Sequence, residues 1–222
     1  MTSKKVNQGG ERLFSKSEWC DPTLLHGTDL DICGSPVLAD AFDRVMSQFQ
    51  PRHTTALMAL CCSTRPYSKT DTWKELIRLA NGKADPVVTS NGGIIPIEFE
   101  SEWPFLTYDA PGSKEYDAEY IELLTKRLTI FLATFHYDKV VFVFMPKKRN
   151  RAAAKAACDS LCIEYQIVPS STTWQKLAKR VPSKFNRPGR NIRTEQYKVD
   201  GFLWKPLAHP LILEEVAWRI GK

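Results

Sequence analysis

Two short segments of the chain concentrate side chains capable of chemistry. The first, CCSTRPYSKTDTW from Cys61 to Trp73, brings two thiols, several hydroxyls, a guanidinium and a phenol within a few residues. Arg65 offers a planar fork of donors that suits a carboxylate or a phosphate. Pro66 stiffens the chain beside it, and the guanidinium is expected to stand exposed next to a strand end. The second segment, SNGGIIPIEFESEWP, runs from Ser90 to Pro104. Gly92-Gly93 lets the backbone come close to a ligand. Glu98 and Glu100 are two apart, so in an extended segment both carboxylates face one side. Either can take a proton or hold an amine if burial or a partner tunes it. Plainer roles exist for each: Tyr67 as a cap on the core, Cys61 and Cys62 as packing, the glutamates as solvated edge residues.

These segments need elements to hold them. Ser35-Pro36 opens a helix, with Ser as cap and Pro in the first turn. Thr54 to Cys62 is an almost continuous apolar run and reads as a buried parallel strand. Thr70 or Asp71 caps a helix that ends at Gly82. Residues 86–89 form a short strand. Residues 90–112 are too rich in Gly and Pro for a helix. A long helix over 114–136 and the strand KVVFVFM, Lys139 to Met145, follow. Then come a basic helix from Arg149 to Leu161, a strand over 164–169, a helix from Thr172 to Arg180, and a last helix from Pro210 to Ile220. Alternating strands and helices imply a three-layer α/β/α sandwich around a mainly parallel sheet. Both chemical loops then lie beyond the carboxyl ends of strands, where such folds bind ligands. Residues 1–34 read as an irregular segment, and 35–222 as one α/β domain.

Composition narrows the class. A hydrophobic content of 43% supplies a sizeable core and excludes a disordered chain. No apolar run approaches the roughly 18 residues of a membrane span, and the first residues lack a secretory signal. A cytoplasmic protein is expected. The six cysteines are then expected to be free thiols, and no spacing suggests a metal site. Charge is uneven. Between Lys147 and Lys198 stand thirteen basic and three acidic residues, a surplus of ten in a chain of net charge +6, which leaves the rest at −4. Such a stretch suits a polyanion. Lys147, Lys148, Arg149, Arg187, Arg190 and Arg193 are the candidates to meet phosphate.

The residues from Leu60 to Trp73, L-C-C-S-T-R-P-Y-S-K-T-D-T-W, resemble the motif P-C-S-x-x-K-P-Y-x-x-S-x-S-H of archaeosine synthase's amino-acid-transferring domain. Cys61, Pro66 and Tyr67 are identical, Arg65 takes the Lys place, and Trp73 replaces His. Ser90 to Pro111 likewise resembles S-P-L-G-V-V-P-R-E-L-E-x-x-Y-P-x-x-x-Y-D-x-P. Ser90, Gly93, Pro96, Glu98, Glu100, Pro104, Tyr108, Asp109 and Pro111 coincide without a gap. The likeness covers about residues 54–146. It implies a fold related to uracil-DNA glycosylase. It implies, too, an enzyme that joins an amine to an electrophilic base: lysine to a nitrile in tRNA for archaeosine synthase, an amino acid or amine to an activated 5-hydroxymethyl pyrimidine in DNA for related phage enzymes.

On that resemblance Glu98, Glu100 and Asp109 are the expected catalytic residues. Cys61, Cys62, Ser63, Arg65, Tyr67, Ser90, Asn91, Gly93 and Tyr108 are expected to line the substrate pocket. The expected substrates are nucleic acid, DNA ahead of tRNA, and a free amino acid or amine, with no metal or organic cofactor. The rivals are a glycosylase of the same fold, which would need a water-activating acid where Ser63 and Thr64 stand, and a non-catalytic nucleic-acid-binding module.

Overall fold

A computed structural model describes residues 25–27, 29–62, 65–109, 118–144, 148–180, 197–199, 202–204 and 209–221. Its strands are β1 (Leu25–His26), β2 (Thr55–Leu60), β3 (Asp85–Ser90), β4 (Gly93–Pro96), β5 (Tyr108–Asp109), β6 (Lys139–Val143), β7 (Glu164–Val168), β8 (Tyr197–Val199) and β9 (Phe202–Trp204). Its α-helices are α1 (Asp29–Gly34), α2 (Pro36–Gln48), α3 (Asp71–Ala80), α4 (Ala118–Thr134), α5 (Lys148–Leu161), α6 (Ser171–Arg180) and α7 (Pro210–Ile220). Five strands form one sheet in the order β4-β3-β2-β6-β7. Four of them are parallel, and β4 runs antiparallel to β3. Helices α1, α2, α4 and α5 pack as one layer, and α3, α6 and α7 as the other. This is the expected three-layer α/β/α architecture.

Why these residues make that sheet is plain from burial. Ala56 to Ala59 and Val140 to Phe144 are buried on both faces, as strands covered by two helix layers require. Chain order then fixes where a ligand can enter. From β2 the chain moves outward to β3 and β4, then returns across β2 to β6 and continues outward to β7. The switch point is therefore the crevice between β2 and β6 at their carboxyl ends. The loop after β2 leads to one helix layer and α5 starts the other. Among the described residues no helix is long and apolar enough to cross a membrane.

Several elements differ from the sequence reading. The segment expected to be irregular to residue 34 contains α1, whose Ile32 and Cys33 are buried in the core, and β1, which pairs in parallel with β5. Helix α2 starts at Pro36 as expected, but the Ser35 side chain makes no capping bond. Thr70 does cap α3, accepting from the Trp73 amide at 3.3 Å. The Gly-rich segment after β3 is a tight hairpin, Ser90 facing Gly93, that adds β4 to the sheet. Gly93 has a φ of 116°, a conformation that L side chains rarely adopt and glycine takes freely.

Candidate functional site

The loop after β2 and the hairpin after β3 meet in one buried polar network. Cys61 continues the strand pairing, its amide donating to the Thr89 carbonyl at 3.1 Å. Strand alternation then puts Cys61 on the face that carries Ser90. Tyr67 opens a short 3-10 turn, Tyr67–Lys69, and lies wholly inside the protein. Its hydroxyl is 2.7 Å from that of Tyr108, which in turn bonds the Ser90 hydroxyl. The Gly92 amide donates to Ser90 Oγ at 3.1 Å. The Arg65 guanidinium closes the cluster: Nε donates to the Tyr67 hydroxyl at 3.3 Å, and Cζ lies 3.9 Å over the Tyr108 ring. Contrary to expectation, Arg65 is not an exposed fork. It is only 4% exposed, because Pro66 and the turn that buries Tyr67 fold it back onto the two rings.

The electrostatics follow from that burial. Loss of water raises the pKa of both Tyr67 and Tyr108 above the ordinary phenol value, so both are neutral at physiological pH. Burial works against the Arg65 charge, but the phenol oxygens of Tyr108 and Tyr67 work for it, and the net direction is up. The guanidinium therefore stays charged. No carboxylate among the described residues pairs with it, and its Nη1 is buried with no hydrogen-bond partner among them. A buried guanidinium with an open N–H is costly until water or another acceptor meets it.

Around this network the glycine hairpin is tightly set. A Cβ on Gly92 would lie 2.7 Å from Cε1 of Tyr108, so only glycine leaves room for that ring. Asn91 accepts from the Tyr120 hydroxyl at 2.9 Å, and the Arg149 guanidinium lies 4.5 Å over the Tyr120 ring. Arg127, buried on α4, sits behind Gly93 and donates to Cys33 Sγ at 3.4 Å. Tyr120 and Arg127 were not anticipated as site residues. Both occupy the buried stripe of α4 with Leu124, Leu128 and Phe131, and a basic residue on such a stripe was the available signal.

The two glutamates part company. The backbone turns at Ile97–Phe99, a 3-10 helix, instead of running extended. Glu100 is buried and accepts from the Ser68 amide at 2.9 Å, beside Tyr67. Glu98 is exposed. Its electrostatic neighbours are Arg52 and Asp85, at the amino end of β3, and partial burial raises its pKa. The expectation that both carboxylates face one side is thus corrected, and Glu98 does not join the Arg65 network. At that end Asp85 accepts from the Arg52 and His53 amides, from the His53 ring at 2.8 Å and from the Tyr137 hydroxyl at 3.0 Å. These bonds tie β2 to its neighbours far from the crevice.

Cys61 and Cys62 are half-buried cysteines just beyond the carboxyl end of β2. Cys158 is buried and its thiol is pushed up to about 12 by burial, which makes it inert. Among the described residues no three His, Cys, Asp or Glu side chains cluster closely enough to hold a metal. Arg149, expected on a phosphate-tracking surface, is only 8% exposed and packs on Tyr120 instead. Helix α5 begins at Lys148, whose side chain lies outside the described residues, as does that of Asp109. Ser63, Lys147, Arg187, Arg190 and Arg193 also lie outside them.

Comparison with known proteins adds a family and a fold. The crystal structure of AF0587, a protein of unknown function, is similar with a TM-score of 0.53 at 15% identity. The match covers 82% of this chain and 49% of that one, so the chain spans about half the length of AF0587. At that identity the likeness shows the fold alone. Comparison with curated proteins finds no significant match. The family model described as Domain of unknown function (DUF5591) matches residues 40–180, which take in the whole five-stranded sheet and both site loops. The chain belongs to the DUF5591 family.

Proposed function

We propose that the chain is a transferase that joins an amino acid or amine to an electrophilic modified base in nucleic acid, DNA ahead of tRNA, as its resemblance to archaeosine synthase and the related phage enzymes implies. One observation carries this reading. Arg65 and Tyr67 of the first resembling segment meet Ser90 and Tyr108 of the second in a single buried network. The two stretches of likeness thus meet in one cluster at the carboxyl ends of β2 and β3, the side of an α/β sheet on which ligands bind.

The residues fit the chemistry. The amine must reach the base neutral and aligned, and charge developing on the base must be stabilised. Its lone pair forms the new C–N bond as a leaving group departs with its electron pair, or as a nitrile π pair moves onto nitrogen. One proton leaves the amine, and in the nitrile case it is passed on to the former nitrile nitrogen, so that the amidine forms with no net loss of a proton. Glu100, a buried carboxylate held by the Ser68 amide beside Tyr67, is the candidate among the described carboxylates to take it. The Gly92-Gly93 turn is filled by the Tyr108 ring and by Arg127, so the base is not expected to reach the backbone there. The basic surplus between Lys147 and Lys198 supplies contacts to the phosphate backbone, and a base within a duplex must be flipped out to reach the crevice.

The test incubates the purified chain with DNA or tRNA carrying the activated base and a mixture of amino acids and amines. Digestion and mass spectrometry then read the nucleosides. A nucleoside heavier by the added amine supports the reading. Unchanged nucleosides from both polymers overturn it.

A further inference from the structure

We infer that Asn150 is a specificity-determining residue whose side-chain amide pairs with the ring edge of the target base, where a carbonyl stands beside a ring N–H; the choice of a base as ligand rests on the reaction proposed above. Asn150 lies in the first turn of α5, the helix that starts beyond the carboxyl end of β6. It is only 5% exposed. Its side chain makes no hydrogen bond among the described residues, yet its amide atoms are not sealed from solvent as Arg65 Nη1 is. The helix turn gives the direction. Asn150 heads the stripe continued by Ala154, Ala157 and Cys158, all fully buried, through which α5 packs on α4 and β7. On either side of it Arg149 reaches the Tyr120 ring of α4, and Arg151 donates to the Pro169 carbonyl beyond β7 at 3.0 Å. Asn150 is thus turned toward the sheet, on the β6 wall of the crevice between β2 and β6. A buried amide ordinarily finds its partners inside the fold. This one keeps donor and acceptor open on the side of the sheet where ligands bind.

The chemistry of an amide narrows the ligand. Nδ2 donates and Oδ1 accepts. A carboxylate or a phosphate only accepts and would leave Oδ1 unmet, and an ammonium group only donates. The ring edge of a base presents a donor and an acceptor side by side, and a base turned out of its stack is read along that edge. The start of α5 decides between kinds of base. A helix of 14 residues begins with open backbone N–H groups and the positive end of its dipole. That end favours a carbonyl oxygen over an amino group. Nδ2 then donates to the base carbonyl, and the ring N–H beside it donates to Oδ1. Thymine, uracil and guanine types carry this edge; cytosine and adenine carry an amino group and a bare ring nitrogen instead.

Fluorescence anisotropy of the full chain tests this. The probes are single strands of DNA, abasic except at one central residue. That residue is thymine, guanine, the ring-N-methylated form of either, or cytosine. Thymine or guanine is expected to bind at least about fivefold more tightly than its methylated form and than cytosine, the scale of one two-bond pair. Asn150→Leu should erase that preference with an unchanged or higher Tm, because an apolar side chain of similar shape removes an unmet amide. Should that variant fail to fold, Asn150→Ser, too short to reach the base, carries the same expectation for binding. The methylated probes need no variant, so the parent chain alone can overturn the inference. Equal binding of every probe overturns it, as does a preference that survives in the folded variant, or no binding of any strand. Transfer to nucleic acid with the same choice of base in parent and variant would sink this inference and leave the transferase standing. A preference that the variant erases, with no transfer to any nucleic acid, would do the opposite.

Discussion

The hydroxyl of Tyr67 stands 2.7 Å from the hydroxyl of Tyr108, although 41 residues separate them in the chain. That bond joins the loop after β2 to the strand β5, and through it Arg65 to the Ser90 hairpin. Tyr108→Phe removes the middle of the network and leaves the Tyr67 and Ser90 hydroxyls short of a partner. The expected loss of stability is about 1–3 kcal/mol, measured by urea unfolding. A variant as stable as the parent would contradict the hydrogen-bonded network.

Arg65→Met separates charge from packing. A buried ion without a counter-ion gains little stability for its protein, and an apolar side chain of similar length can replace it at no cost. The variant should fold with an unchanged or higher Tm, yet lose at least about tenfold in ligand affinity. Arg65→Ala should be less stable than Arg65→Met, because it leaves a cavity. Full affinity in a folded Arg65→Met chain would show that the guanidinium is structural.

Alkali should unfold the protein through these phenols. In the unfolded chain Tyr67 and Tyr108 ionise near the ordinary phenol pKa of 10.0, and in the folded chain only above it. The unfolded state thus loses protons first. The stability they contribute is complete below about pH 10 and declines as pH rises beyond it. Phenylalanine at both positions should flatten that decline in a series of denaturation curves. An equal decline in the double variant would place the alkaline sensitivity elsewhere.

Glu98→Gln and Glu100→Gln should behave differently. Glu98 lies toward Arg52 and Asp85, away from the crevice, so its amide should leave turnover unchanged. Glu100→Gln keeps an acceptor for the Ser68 amide but cannot take a proton, and turnover should fall by the 10²–10⁴-fold, roughly, that a general base contributes. Loss of turnover in Glu98→Gln alone would reverse the assignment.

Gly92→Ala places a methyl 2.7 Å from the Tyr108 ring, which is buried and cannot retreat. Ligand binding should suffer while Gly34→Ala, where nothing lies within 4 Å, should be harmless to it. Equal binding in both variants would show that the hairpin adapts.

How much of this was legible in the sequence follows from the range of each signal. Periodicity and apolar runs located β2, β6 and the helices from α2 onward, because burial on both faces of a strand or one face of a helix is a local pattern. The hairpin of β4 escaped, since four residues after a glycine pair carry too little period to read. The two site loops were legible from residue types, but their geometry was not. Arg65 looked like a surface fork because sequence does not say that Tyr108 will lie beneath it. Glu98 and Glu100 looked like one pair because an extended segment was assumed where the chain makes a 3-10 turn. Arg149 counted toward a basic surface, and packing on Tyr120 removed it. For the two arginines a contact distant in sequence decided the outcome, and for the glutamates a local turn did.

The most direct measurement is the nucleoside content of DNA and tRNA from cells that produce the chain, compared with cells that produce the Arg65→Met variant, by mass spectrometry after complete digestion. The account predicts a nucleoside carrying an added amino acid or amine in one of the two polymers with the parent chain, and its absence with the folded variant. Identical nucleosides from both cultures, in DNA and in tRNA alike and with the activated base supplied, would contradict it.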